Sequence, residues 1–180
     1  WGRIGDNIEE PSERFNHSVD GIPYDWKFLY GVAGYHLKAC EMNAAFGLVQ
    51  LDKLEGFLRK RRQNIERYIQ NLKECPYYTL PDDSRLPNWL AIPLQCPDRL
   101  ELVKFMEKND VQTRVTFAGN ITRHPAFRKY LDTFENADRI MKDGFLLGAH
   151  HGMDIGDVDR VCNLLKKFAD HKLNGKCSLM

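Results

Sequence analysis

Residues 34–54, GYHLKACEMNAAFGLVQLDKL, decide the fold of this chain. The stretch opens as a short polar turn and continues into an amphipathic helix, with apolar residues at helical spacing as far as residue 73. We predict one helix over 41–73, which is longer than most helices of globular proteins. The turn before the helix makes Tyr35 and His36 candidate ligand contacts. An ordinary loop with a partly buried tyrosine fits the same residues, and spacing alone favours that interpretation.

The segments on either side of this helix differ in character. Residues 1–33 are rich in Gly, Pro, Asn and Asp, which indicates a loop-rich stretch. After the long helix, three short strands alternate with three helices. The strands are predicted at 88–95, 111–116 and 145–149, and the helices at 98–109, 136–142 and 154–171. This order predicts an α/β (α+β) unit with a small sheet that helices cover on one face.

Individual residues indicate how these helices begin and which face they bury. Asp98 and Asp154 each precede a stretch with helical apolar spacing, so we expect both to act as N-caps. Pro125 is expected at the first position of a helical turn, where its missing N–H costs nothing. The predicted core residues of the first helix after the strand are Leu100, Leu102, Val103, Phe105 and Met106.

Composition excludes several classes of function. Lys and Arg number 26 against 25 Asp and Glu, and the net charge of +1 does not indicate a nucleic-acid-binding surface. No apolar run has the length of a membrane span. The five cysteines lack C-x-x-C spacing, and no histidine pair has metal-ligand spacing beside a carboxylate. We therefore expect a cytoplasmic protein with no disulfide framework and no metal, membrane or nucleic-acid partner.

A second candidate site is GNITRHP, residues 119–125. It combines glycine, the hydrogen-bonding side chains of Asn and Thr, an arginine and a histidine at a helix start. Such a set suits an anionic group, for example a carboxylate or a phosphate. A helix cap with a surface arginine accounts equally well for the same residues. From the residues alone, Asn120, Arg123 and His124 remain open between binding and structure.

Residues 34–68 resemble the signature of the pyridoxal-phosphate nucleotide-sugar aminotransferases of the DegT/StrS type. The family's usual form is Gly-Tyr-Asn, two residues, Thr-Asp, one residue, Gln-Ala-Ala, then Gly and Gln-Leu, and later Arg and Tyr. The chain departs from that form at His36, Cys40, Glu41 and Asn43, which leaves the implied fold intact but bears on catalytic activity. The residues that match are Gly34, Tyr35, Lys38, Ala44, Ala45, Gly47, Leu48, Gln50, Leu51, Leu54, Arg62 and Tyr68.

Two later stretches, GNITRHPAF at 119–127 and NADRIMKDGFLLGAHHG at 136–152, resemble the 3-dehydratase branch of this family. That branch makes 3-deoxy and 3,6-dideoxy sugars from CDP- or GDP-linked 4-keto-6-deoxyhexoses. The resemblance implies the C-terminal portion of a fold type I PLP-dependent transferase. Residues 1–40 would then belong to a large domain, 41–75 would form a connecting helix, and 76–176 would form a small α+β domain.

The resemblance also implies how a cofactor would be held. The cofactor would be pyridoxal 5'-phosphate or pyridoxamine 5'-phosphate, bound mainly by a region before Trp1. The lysine that holds it, or the histidine that replaces this lysine in the dehydratases, would lie in that region, so no catalytic residue is expected here. The family has Asn at the position of His36, where it reaches the cofactor phosphate of the partner subunit. His36 and Tyr35 are therefore the expected cofactor contacts.

Substrate and partners follow from the same resemblance. Arg123 and Arg114 match basic positions near the substrate region, and with His124 and Asn120 they are the expected substrate-binding residues. Family members are homodimers with shared active sites, so self-association through helix 41–73 is expected. A dehydratase would use a reductase partner with an iron–sulfur centre and flavin, whereas an aminotransferase would take its amino group from glutamate. The chain alone would be an inactive binding or assembly domain.

Overall fold

The computed structural model describes residues 11–25, 28–35, 39–82, 84 and 88–175. The chain divides into two compact units, Trp1–Leu51 and Asp52–Met180, and each is considered by itself. The helices are α1 (Pro11–Arg14), α2 (Glu41–Leu72), α3 (Arg99–Lys108), α4 (Glu135–Asp143) and α5 (Ile155–Asn174). The strands are β1 (His17–Val19), β2 (Ile22–Tyr24), β3 (Ala91–Gln95), β4 (Thr113–Val115) and β5 (Gly144–Gly148).

The first unit contains a β-hairpin that the loop-rich composition did not predict. Strands β1 and β2 pair antiparallel, with His17 opposite Tyr24. Between them, Asp20 and Gly21 both have positive φ, at 51° and 79°. A two-residue type I′ hairpin turn requires positive φ at both central positions, and Asp-Gly is a preferred pair there. That dipeptide was the sequence signal for the hairpin.

Helix α2 is continuous, and its two halves differ in burial. It passes through Gly56 without a break and ends one residue before the predicted end, so the predicted single helix is confirmed. In the second half, Ile65, Tyr68 and Leu72 are buried. Several apolar residues nearer the start of the helix have between 42% and 78% of their surface exposed, and these include Met42, Phe46, Val49 and Leu54.

The second unit is built on an antiparallel three-stranded sheet with the order β3-β5-β4. Leu147 on the central strand lies opposite Ile92 on β3 and opposite Thr113 on β4. Pro93 lies in β3, at the edge of this sheet, where the missing N–H of proline is tolerated. The three predicted strands are confirmed, with boundaries displaced by at most three residues.

One hydrophobic core joins this sheet to helices α2, α3 and α5. The Tyr68 hydroxyl donates to the carbonyl of Gly148 at 3.1 Å, which ties α2 to the end of β5. The Tyr78 hydroxyl donates to the carbonyl of Leu165 at 2.8 Å, which ties the segment after α2 to α5. These buried donors are satisfied, so they anchor the helices without the cost of an unpaired polar group.

Two expectations for α3 were wrong. Asp98 occupies the N-cap position, but its side chain makes no capping hydrogen bond. Its carboxylate instead accepts from the Tyr77 hydroxyl at 2.5 Å and lies 3.6 Å from the Lys172 ammonium group. Leu100 was predicted in the core but is 65% exposed, whereas Leu102 is fully buried. Residues two positions apart on a helix point to nearly opposite faces, so only one of the two leucines can face the core.

The other helix starts follow the sequence. Asp154 caps α5, because its carboxylate accepts from the N–H of Asp157 at 2.9 Å. The Asp157 carboxylate accepts in turn from the N–H of Asp154 at 3.0 Å, which completes a reciprocal capping box. Pro125 begins a short 3-10 helix, Pro125–Tyr130, as expected. None of the helices in the described ranges is long and apolar enough to span a membrane.

The two leucines of α3 provide a matched test of the core. Leu102→Ala is expected to lower the free energy of unfolding by about 2–5 kcal/mol, because it leaves a cavity beneath the sheet. Leu100→Ala on the same helix should change it by less than about 0.5 kcal/mol. Urea denaturation followed by circular dichroism measures both, and equal losses for the two variants would contradict the described orientation of α3.

Candidate functional site

Residues 117–134 connect β4 to α4, and we call them the Asn120 loop. Asn120 itself is 2% exposed, and both ends of its amide are used within the chain. Its Oδ1 accepts from the backbone N–H and the hydroxyl of Thr122, at 3.1 and 2.6 Å. Its Nδ2 donates to the carbonyl of Asp132 at 3.0 Å and to Asp138 Oδ1 at 2.9 Å. A buried and satisfied amide of this kind fixes the path of a loop.

Arg123 is held by the same carboxylate. Its guanidinium donates to both carboxylate oxygens of Asp138, with Nη2 lying 3.1 Å from Oδ2. The N–H of Phe134 donates to Asp138 as well, at 3.1 Å. The Arg123 hydrogen bond, followed by that from Asn120, holds the pKa of the Asp138 carboxyl well below its ordinary value. This carboxylate therefore stabilises the loop above about pH 4, and the contribution is lost as the pH falls through the lower folded-state pKa.

Close packing fixes the start of the loop. Gly119 has a φ of 58°, in the left-handed region that favours glycine. A Cβ at this position would lie 2.4 Å from the Cβ of Met141 on α4, so glycine is required for space as well as for conformation. His124 Nε2 lies 2.9 Å from the carbonyl of Ala118. Because a carbonyl only accepts, Nε2 carries the proton in this hydrogen bond.

Phe117 is the residue of this region that the sequence reasoning missed. It has a φ of 47° and is 85% exposed, although it is an aromatic residue. Its N–H donates to the carbonyl of Val115 at 2.7 Å, which turns the chain sharply at the end of β4. Bulky residues rarely adopt positive φ, so neither propensity nor spacing gives a signal for this geometry.

Arg114 lies on β4, outside the Asn120 loop. It lines a cleft of about 410 Å³ at the end of the sheet, together with Arg160, Asp110 and Asp157. Its Nη1 donates to the carbonyl of Thr113 at 2.7 Å. Two guanidinium groups and two carboxylates line this cleft, so its charges offset each other and do not by themselves select an anionic ligand.

The predicted cofactor contacts lie in the first unit. Tyr35 is 85% exposed. His36 lies outside the residues that the structure describes. Of the predicted substrate-binding residues, Asn120, Arg123 and His124 come together in one loop, and Arg114 lies on the strand before it. Their contact with a substrate stays a prediction, because the distances above describe only bonds within the chain.

The described residues fit a partial role in holding a phosphate cofactor. A phosphate needs several convergent N–H and O–H donors, and a helix N-terminus favours it. In the first unit Tyr35 offers an exposed hydroxyl, but Glu41 places a carboxylate in the first turn of α2. These residues fit one contact to such a group and not a complete site. In the described part of the chain, no three His, Cys, Asp or Glu side chains are grouped to hold a metal ion.

Comparison with known proteins identifies the family. The profile of the DegT/DnrJ/EryC1/StrS aminotransferase family matches residues 7–166, and the chain belongs to this family. The lipopolysaccharide biosynthesis protein RfbH of Salmonella typhimurium is 34% identical over 87% of this chain and 39% of its own length. The dTDP-4-dehydro-2,6-dideoxy-D-glucose 3-dehydratase of Saccharopolyspora spinosa is 32% identical over 93% of this chain and 40% of its own length.

Solved structures establish the fold. A crystal structure of GDP-4-keto-6-deoxymannose-3-dehydratase with a trapped PLP-glutamate geminal diamine matches with a TM-score of 0.70 at 24% identity. The match covers 77% of this chain and 38% of that one. The predicted fold class, an α+β portion of a fold type I PLP-dependent transferase, is confirmed. The chain spans about two fifths of the length of the curated relatives described above.

Gly119 in the Asn120 loop and Gly175 after α5 have nearly equal φ. Comparing alanine substitutions at the two positions separates the cost of backbone strain from the cost of a steric collision. Gly175 has a φ of 60° with open space around it, so Gly175→Ala should cost only about 1–2 kcal/mol of backbone strain. Gly119→Ala adds the collision with Met141 and should cost about 1–3 kcal/mol more. Urea denaturation gives both values, and hydrogen exchange should show lost protection in residues 117–134 of the Gly119 variant alone. Equal costs would show that the contact with Met141 relaxes freely.

Proposed function

We propose that this chain is the C-terminal part of a PLP- or PMP-dependent enzyme of deoxysugar or lipopolysaccharide O-antigen biosynthesis. The reaction is 3-dehydration of a nucleotide-linked 4-keto-6-deoxy sugar. The observation that carries this proposal is the 32% identity, over 93% of the chain, to a protein named as a nucleotide-sugar 3-dehydratase. Two further relatives, at 27% and 25% identity, are named as GDP-4-keto-6-deoxy-D-mannose 3-dehydratases.

In this proposal the parts of the chain have separate tasks. Residues 1–40 belong with a large domain, 41–75 form a connecting helix, and 76–176 form the small domain. The bound cofactor supplies an electron sink for the reaction at the sugar ring. His36 and Tyr35 contact its phosphate across the subunit interface. This arrangement agrees with the exposure of Tyr35, whose hydroxyl is available to a neighbouring molecule.

The substrate residues lie near the Asn120 loop. Arg114, Arg123, His124 and Asn120 bind or orient the nucleotide sugar. Asn120 and Arg123 act through the shape of the loop, because their side chains already hydrogen bond to Asp138. A dehydratase of this kind also takes electrons from a reductase with an iron–sulfur centre and flavin.

A second candidate function is transfer of an amino group from glutamate to the same kind of sugar. One relative supports it, a dTDP-4-amino-4,6-dideoxy-D-glucose transaminase of Shigella dysenteriae, which is 30% identical over 76% of the chain. The two functions differ at one residue, which is the cofactor-binding lysine in aminotransferases and is replaced by histidine in 3-dehydratases. They also differ in product, because only the transaminase leaves an amino group on the sugar.

The coding DNA before Trp1 provides the test of function. We expect an in-frame large domain with histidine at the cofactor position. The extended protein, supplied with PMP, a CDP- or GDP-linked 4-keto-6-deoxyhexose and an iron–sulfur reductase, should give a 3-deoxy product by mass spectrometry. The chain of 180 residues alone should give no turnover. A glutamate-dependent 4-amino product would establish the transaminase instead, and a start codon directly before Trp1 would leave an assembly domain without enzyme activity.

The exposed half of α2 supports a homodimer. Phe46 is 69% exposed on the first half of α2, where other apolar residues are exposed as well. An apolar surface of this kind is typical of a protein interface. We expect a dimer in sedimentation equilibrium, and Phe46→Asp should weaken it by about tenfold or more because it buries a charge. Leu100→Asp, at a 65% exposed position on α3, is the matched control and should leave the dimer intact. A monomer at high concentration would contradict the proposed homodimer.

A further inference from the structure

The segment from Arg114 to Tyr130 differs from the rest of the chain in charge, and we call it the basic segment. It reads RVTFAGNITRHPAFRKY and contains three arginines, one lysine and no acidic residue. The chain as a whole is balanced, with 26 basic and 25 acidic residues. A local excess of positive charge in a nearly neutral protein favours an anionic ligand.

Two of these four positive charges, those of Arg128 and Lys129, are available, because Arg114 lines a cleft that also holds two carboxylates. Arg123 is neutralised by Asp138. No described carboxylate forms an ion pair with Arg128 or Lys129. Within the described ranges, the Arg128 guanidinium donates to the backbone carbonyl of Arg123 at 3.5 Å and to no carboxylate. Arginine and lysine without a carboxylate partner are the usual ligands of phosphate in proteins.

Phe117 lies within this segment, and both its backbone conformation and the exposure of its ring are energetically unfavourable. Its ring is 85% exposed, and its φ of 47° is strained for a residue with a Cβ. The surrounding structure enforces this geometry, through the hydrogen bond from Phe117 to Val115 and the close packing of Gly119 on Met141. Backbone strain that is over-determined in this way is concentrated at ligand-binding positions. An exposed phenyl ring gains most when a flat apolar surface covers it.

We infer that the ring of Phe117 stacks on the nucleobase of the nucleotide sugar, while Arg128 and Lys129 pair with its phosphates. A nucleoside diphosphate matches this surface, because it joins an aromatic face to a strongly negative group. This role rests on the proposed function, which supplies the class of substrate. Phe117 thereby becomes a residue that binds the nucleotide, and Asn120 and Arg123 hold the loop that presents it.

Nucleotide binding to the chain tests this role directly. Isothermal calorimetry with CDP and GDP should show binding to the wild-type chain, and Phe117→Ala should weaken it about tenfold, the loss expected for one stacked base. Inorganic pyrophosphate lacks a base, so its affinity should not change in this variant. Phe117→Tyr keeps the ring and should bind like wild type. Phe127→Ala, at a 44% exposed position of the same segment, is the matched control and should bind normally.

Each other outcome has a defined meaning. Wild-type binding by Phe117→Ala, or no binding of CDP or GDP to the wild-type chain, would overturn the stacking role. A change in dimer affinity for Phe117→Ala without a change in nucleotide affinity would assign the ring to a protein contact, which also overturns it. Urea denaturation of each variant excludes unfolding as the cause.

The same variant separates this role from the proposed function. In the extended enzyme, Phe117→Ala should raise the KM for the nucleotide sugar about tenfold and leave kcat nearly unchanged, because stacking is equal in ground and transition states. Nucleotide binding without dehydration would reject the dehydratase proposal and keep the stacking role. Dehydration with an unchanged KM in the variant would reject the stacking role and keep the dehydratase.

Discussion

The candidate site depends on the hydrogen bonds that the carboxylate of Asp138 accepts. It accepts hydrogen bonds from Asn120, from Arg123 and from the N–H of Phe134, and so connects the middle of the Asn120 loop to its end. A connection of this length without regular strands or long helices would ordinarily vary in shape. The carboxylate also lies in the first turn of α4, where the helix dipole favours negative charge. One ionised group therefore holds the loop and begins the following helix.

In this loop, the side chains that hold the backbone differ from those that we propose to bind the ligand. Asn120 and Arg123 look like a binding motif in the sequence. In the structure both side chains hydrogen bond to Asp138 and so keep the loop backbone in place. The neighbouring residues that look ordinary, Phe117 and Arg128, are exposed to solvent, and Arg128 forms no ion pair with a described carboxylate. In the proposed function, the nucleotide sugar carries both a ring and phosphates for this surface to contact.

Local rules predicted much of the fold and less of the site. The α5 start at Asp154 could be predicted because its capping partner lies three residues away. Asp98 occupies the same kind of position, but its carboxylate is taken by Tyr77 and Lys172, which are distant in sequence and become neighbours only after folding. The pairing of Arg123 with Asp138 is equally non-local, and a positive φ at Phe117 opposes its own propensity. Tertiary contacts decided these cases, and no pattern in the sequence reports them.

The approach of Gly119 to Met141 also constrains how the sequence can evolve. A side chain at residue 119 would meet the α-, β- and γ-carbons of Met141, so replacing the thioether end of that residue creates no room. The backbone of α4 itself would have to retreat, and with it the carboxylate of Asp138 three residues earlier in the chain. A substitution at this glycine would therefore displace the whole of α4. Relatives that keep this loop should keep the glycine even where the residues around it differ.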